Sequence, residues 1–268
     1  METRILEVST EGCHLSKARG FLVVSNRGDS GEPLGQLPLD DVAAVIANAH
    51  GLSYSNNILV ALAERGVPFV LCAANHNVVG MVFPVGAHHL QAKRYDAQAA
   101  CKTTTRKRLW QQIVRAKLKN QARVVDFFGG RSAAINRLAR QTRSGDPSNT
   151  EAQGARIYWQ ALFGREFRRD RSEGGINAHL NYGYTVFRAA VARSVVAAGL
   201  HPTLGLHHAN SSNPMRLVDD LIEPYRPLVD YTVLKVGSVM QNDVTRESKS
   251  ELVGLLYRDW ETPQGKTP

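Results

Sequence analysis

The segment GLHHANSSNPMRLVDDLIEPYRP, residues 205–227, sets His207 and His208 a dozen residues ahead of three acids, Asp219, Asp220 and Glu223. Residues three and four apart share one face of a helix, so helical spacing puts Glu223 beside both aspartates. Like charges crowded there repel, and a divalent cation held by oxygen ligands is one way to neutralise them. Pairing with Arg216 and Arg226 at helical spacing is another, and would make this a salt-bridged surface helix. The histidines favour the first reading, because an imidazole together with carboxylates suits Mg2+ or Mn2+ chemistry. A further acid, Glu151, opens the helix-like stretch EAQGARIYW. Ser148 stands three residues before it, which also fits a capping box in which the glutamate only closes the helix start.

Elements elsewhere must position these groups. The chain has 268 residues, room for one large domain or two smaller ones. Hydrophobic residues make up 43% and charged residues 21%, as in a globular protein. No apolar run approaches the roughly 18 residues of a membrane helix, and METRILEVST does not look like a secretory signal, so a soluble protein of the cytosol, with no membrane partner, is expected. Cys13, Cys72 and Cys101 are widely spaced and odd in number, against a disulfide framework or a thiolate metal site.

The charge is unevenly placed. Residues 93–171 carry 19 Lys and Arg against 6 Asp and Glu, a balance of +13, whereas the rest has 14 against 18, a balance of −4. A basic field confined to one segment suits a polyanion, most simply the phosphates of nucleic acid.

The pattern predicts an α+β protein with a small β-rich domain over residues 1–86 and a larger all-α domain over 87–268. RILEVST, CHLSKARGFLVVSN, DDVAAVIANAH, PFVLCAA and NVVGMVFPVG read as β-prone runs, with Gly20 suited to a hairpin and one helix at NNILVALAERG ending near Gly66. After Gly86 the apolar spacing becomes helical. KRLWQQIVRAKLKNQARVVDFFGG places Leu109, Ile113 and Leu118 on one side and a basic series on the other. Further helices are expected at 131–143, 149–163, 176–199, 213–235 and 248–259, with QTRSGDPSN and FRRDRSEGG as loops.

The motifs EAQGARIYW, INAHLNYGYTVFRAAV and LGLHHANSSNPMRLVDDLIEPYRPLVD, in that order behind a β-rich domain, resemble the Cas1 integrase family of CRISPR spacer acquisition, and most nearly the form from systems of the Cas9 type. The resemblance extends over essentially the full chain. It implies that Glu151, His208 and Glu223 are the catalytic, metal-binding residues, with Asp220 a supporting ligand. It also implies that Asn177 and Asn181 lie on a central helix beside the site. The doubled histidine leaves the register open by one residue, with His207 the alternative to His208, and other members carry Asp where this chain has Glu223. The implied reaction is attack of a DNA 3′-hydroxyl on a backbone phosphodiester of a repeat array, dependent on Mg2+ or Mn2+. The implied partners are DNA, a second copy of the chain joined through the N-terminal domain, a Cas2 dimer and, as a further candidate, Cas9. A nuclease that only cuts branched or single-stranded DNA would need the same ligands. A non-catalytic nucleic-acid-binding protein would need the basic segment alone.

Overall fold

The computed structural model places every strand of the described residues in the first part of the chain. Described are residues 4–28, 33–73, 78–82, 84–86, 88–170, 174–237 and 244–255. By contacts the chain divides into two units, one of Met1–Tyr95 with Ala189–Leu200 and one of Asp96–Arg188 with His201–Pro268.

The first unit holds β1 (Arg4–Val8), β2 (Cys13–Ala18), β3 (Phe21–Asn26), β4 (Gly35–Pro38), β5 (Val42–Ala47), β6 (Ser53–Tyr54), α1 (Asn56–Glu64), β7 (Phe69–Cys72) and β8 (Val78–Val82). They form two four-stranded sheets, in the orders β1-β5-β7-β8 and β4-β3-β2-β6. Strand β5, VAAVIA, is buried at every residue, because parallel neighbours flank it on both sides. That is why it reads as an unbroken apolar run instead of an alternation. The hairpin expected at Gly20 joins β2 to β3, with Arg19 at φ 46° and Gly20 at φ 86°. Two left-handed residues in succession give the turn whose twist suits a hairpin. Leu15, Leu22, Ile58, Leu62 and Phe69 are among the side chains that fill the core between sheet and helix.

Helices follow: α2 (Gln91–Ala99), α3 (Thr103–Phe127), α4 (Ala133–Gln141), α5 (Thr150–Phe163), α6 (Ile176–Ala197), α7 (Arg216–Ile222), α8 (Arg226–Lys235) and α9 (Arg246–Gly254). Helix α2 lies where no helix is predicted: it is polar and buries no residue completely, so it has no apolar stripe to read. The end of the helix predicted to run to 259 lies outside the described residues.

Two expectations need correction. Leu109 is not on the buried side of α3; it is 38% exposed, and Trp110, Val114, Leu118, Ala122 and Val125 form the apolar stripe. Trp110, the larger side chain, sets the rotation of the helix, packing with Val114, Leu118, Ile135 and Tyr158. The single helix expected over 213–235 is broken into α7, a 3-10 turn at Glu223–Tyr225, and α8. Pro224 lies in that turn; proline has no N–H for the helical ladder and its ring disfavours helical geometry before it.

Candidate active site

The start of α5 frees Glu151 from the capping role that spacing allows it. Asn149, in a left-handed conformation, accepts a hydrogen bond from the Ala152 N–H. The Asp146 carboxylate accepts from the backbone of Thr150 (2.8 Å) and Glu151 (2.9 Å). With the first-turn donors met in this way, the expected Ser148 capping box is replaced, and the Glu151 side chain turns to the Lys117 ammonium on α3. Gly154, one turn further along α5, lets the two helices meet: a methyl group there would fall inside the van der Waals shell of Leu118 on α3.

His208 is set by Asp220. The Asp220 side chain is wholly buried, and the backbone from Gly205 to His208 wraps around it. Its Oδ2 accepts from the N–H of Leu206 (2.6 Å) and His207 (3.2 Å), and its Oδ1 accepts from the N–H of His208 (3.1 Å). Oδ1 also lies 2.7 Å from His208 Nδ1. This assigns the Nδ1 proton to the Asp220 bond and leaves Nε2 as the free acceptor. A Cβ at position 205 would stand 3.0 Å from Asp220 Oδ2, so the loop closes this tightly only with glycine. The hydrogen bond to Asp220 raises the His208 pKa although burial opposes it. Burial pushes Asp220 upward, but the His208 and backbone bonds more than offset it, and its pKa is lowered.

Glu223 sits in the 3-10 turn, 7% exposed, between two cations. Lys117 Nζ approaches Oε2 at 2.5 Å, and Arg226 Nε donates to Oε1 at 2.7 Å. Burial raises the Glu223 pKa, yet Arg226 and Lys117 hold it below its ordinary value. The three acids of the segment therefore do not crowd together. Asp219 takes Arg188 and the Asn213 amide, Asp220 takes the histidine loop, and Glu223 takes Lys117 and Arg226.

Glu151, His208 and Glu223 all line one cleft of about 270 Å³, with Trp110, His207 and Ala209. His207 lies flat on the Trp110 indole, ring centroids 4.2 Å apart and planes 2° from parallel. Buried Asp230 accepts hydrogen bonds from Tyr158 (2.8 Å) and Tyr184 (2.5 Å), and Arg226, which also pairs with Glu223, covers the Tyr184 ring at 4.7 Å. Burial lifts the Asp230 pKa to about 6 against the lowering by the two hydroxyls. Asn177 and Asn181, one turn apart on α6, both accept from Arg169.

Sequence reasoning misses Lys117, Trp110 and Asp230 as parts of this site, whereas Arg226, offered by helical spacing as a partner of the acids, does pair with Glu223. The signal for Lys117 is its position: it falls on the stripe of Val114 and Leu118, where a charged group needs a buried partner. Asp220, expected as a supporting ligand, has both oxygens engaged by the loop. Among the described residues no three His, Cys, Asp or Glu side chains form a group that could hold a metal ion as it stands. Among those residues, too, no helix is long and apolar enough to cross a membrane.

The sequence matches the family profile described as CRISPR associated protein Cas1 over residues 6–251. It is 41% identical over 250 residues to the CRISPR-associated endonuclease Cas1 of Neisseria meningitidis serogroup C (strain 8013), covering 92% of this chain and 81% of that protein. In fold it is similar to a casposase bound to its integration product, with a TM-score of 0.75 at 18% identity over 95% of this chain and 82% of the other. It is also similar to a chain of a Cas6-RT-Cas1–Cas2 complex, with a TM-score of 0.72 at 18% identity over 99% of this chain and 33% of that longer one.

Proposed function

The chain belongs to the CRISPR-associated Cas1 family, and from that premise we propose that it is the metal-dependent integrase and endonuclease of CRISPR adaptation, joining new spacer DNA into a repeat array. The observation that carries this reading is the convergence of Glu151, His208 and Glu223, from three separate elements, on one cleft.

The donor set fits a divalent cation: two carboxylates and an imidazole nitrogen whose other nitrogen is already fixed by a carboxylate. Glu151, Glu223 and His208 Nε2 would hold Mg2+ or Mn2+, which when bound acts as a Lewis acid on the phosphodiester and lowers the pKa of the attacking 3′-hydroxyl. Asp220 orients His208 and is not itself a ligand in this reading, since its lone pairs serve the loop. Arg226 holds Glu223 from the side opposite Lys117 and is held in turn over Tyr184. The reaction exchanges one phosphodiester for another, so it needs no nucleotide cofactor.

Exposed Arg108, Arg115, Lys119 and Arg123 follow one another at spacings of seven, four and four along α3, a stripe that would track DNA phosphates without regard to base sequence. The described relatives support the partners: one bears an integration product and another is a complex containing Cas2. We assign dimerisation to the β-rich residues 1–86, catalysis and DNA binding to 87–268, and a Cas2 dimer as the bridge between two Cas1 dimers, with Cas9 as a further partner.

The test is a joining assay with the purified protein, its Cas2 partner, a labelled DNA fragment, a repeat-bearing plasmid and Mg2+ or Mn2+. Joined product that is lost in His208→Ala and Glu223→Ala while DNA binding persists supports the integrase. Cutting of branched DNA without joining points to a nuclease alone, and joining that survives both substitutions refutes the site.

A further inference from the structure

Lysine is seldom buried unless it is paired, and Lys117 is 7% exposed within the apolar stripe of α3. Its ammonium bonds both Glu151 and Glu223, the two carboxylates assigned above to the metal. Arg226 occupies the other oxygen of Glu223. The two glutamates are therefore already met by two cations, one lysine and one arginine, before any metal arrives.

A divalent cation entering beside Lys117 meets an ammonium that already serves both of its carboxylates. Repulsion between the two cations is costly at this range, the more so because Lys117 and Glu223 are shut from water. It is relieved if an anion arrives with the cation, and the anion that the proposed reaction brings is a DNA phosphodiester.

We propose that Lys117 is the resident cation of the site, holding Glu151 and Glu223 in place before metal arrives and making uptake of the divalent ion depend on the presence of a DNA phosphate. The proposal rests on the reading of Glu151, His208 and Glu223 as metal ligands. Lys117 is thereby a positioning residue with a second consequence: metal and DNA each raise the affinity for the other, as linkage requires. The free protein then holds its ion weakly, and its chemistry is armed by the substrate.

The experiment is Mn2+ binding to the full-length protein by electron paramagnetic resonance, with and without a short DNA duplex, for the wild type, Lys117→Met, Lys117→Arg and Glu223→Gln. The expected result is that duplex tightens Mn2+ binding by the wild type about tenfold, an ordinary coupling. Lys117→Met binds Mn2+ more tightly than the wild type without DNA and gains little from duplex, and Lys117→Arg keeps the coupling. Equal wild-type affinity with and without duplex overturns the proposal, as does a Lys117→Met protein, folded by circular dichroism, with wild-type affinity and coupling. Should Lys117→Met not fold, the wild-type comparison decides alone. Mn2+ binding that persists unweakened in Glu223→Gln instead overturns the ligand assignment, and the proposal with it.

Discussion

Asp220 Oδ1 lies 2.7 Å from His208 Nδ1, and the same carboxylate gathers the backbone N–H groups of Leu206, His207 and His208. One buried acid thus fixes the position, the orientation and the tautomer of the histidine. Replacing it with Asn brings an amide N–H2 against donors that need an acceptor. Asp220→Asn should lower joining about 10- to 100-fold, the usual cost of losing a group that orients a ligand, with DNA affinity nearly unchanged. Parallel joining and fluorescence-anisotropy measurements check this; wild-type joining would contradict it.

The two adjacent histidines should separate in function. His207 is stacked on Trp110, while His208 is fixed by Asp220 with Nε2 left available. His208→Ala should abolish detectable joining. His207→Ala should cost about tenfold or less, since a stacked ring contributes on the order of 1 kcal/mol. Initial rates at saturating DNA decide it, and equal loss in both variants would leave the assignment without support.

Gly154 is a steric requirement of α3 meeting α5. Gly154→Ala would press a methyl group into Leu118, and overpacking of this kind costs about 1–3 kcal/mol. Thermal melting should fall by several degrees, with Mn2+ binding weakened because Glu151 rides on the same helix. Gln160→Ala on the exposed face of α5 is the control and should melt like the wild type.

Asp230 makes stability depend on pH in a direction that can be stated. Its folded pKa, about 6, lies above the ordinary 3.8 because of burial. A group raised in this way favours the folded state fully below its unfolded pKa, and the benefit is lost as pH rises through 6. Asp230→Asn does not titrate. Its melting temperature relative to the wild type should therefore be more favourable at pH 7.5 than at pH 4.5, and parallel curves would show that Asp230 does not bind the proton.

The cationic stripe on α3 should act through phosphate contacts. Arg108→Ala with Lys119→Ala should weaken binding to DNA of any sequence and lower the slope of log affinity against log salt by about one per lost contact. Titrations at several salt concentrations test this, and a slope unchanged by the pair would exclude the stripe from the interface.

Much of this molecule was legible as pattern. The alternation of β2 and β3, the turn at Arg19 and Gly20, and the helical spacing after Gly86 all correspond to elements near their expected places. Residue types likewise marked the histidine pair and the acids, and the family resemblance singled out Glu151, His208 and Glu223, which line one cleft. What spacing does not carry is direction. It cannot tell that Asp220 turns toward a preceding loop, that Asp219 reaches Arg188, or that Pro224 ends a helix just where Glu223 must face α3. Lys117 is hidden for the opposite reason: a lysine in a basic helix reads as one more solvated charge until a neighbouring helix supplies its partners.

The cleft joins groups of very different separation along the chain. His208 and Asp220 are 12 residues apart, whereas Lys117 is 34 from Glu151 and 106 from Glu223. Closing a short segment loses little entropy and closing a long one loses more, so the histidine and its anchor form a self-contained turn, while the carboxylate side of the cleft exists only once α3, α5 and the 3-10 turn have docked. A chain caught part-way through folding would carry an oriented imidazole with no acid opposite it, and catalytic competence would be the last property the domain acquires.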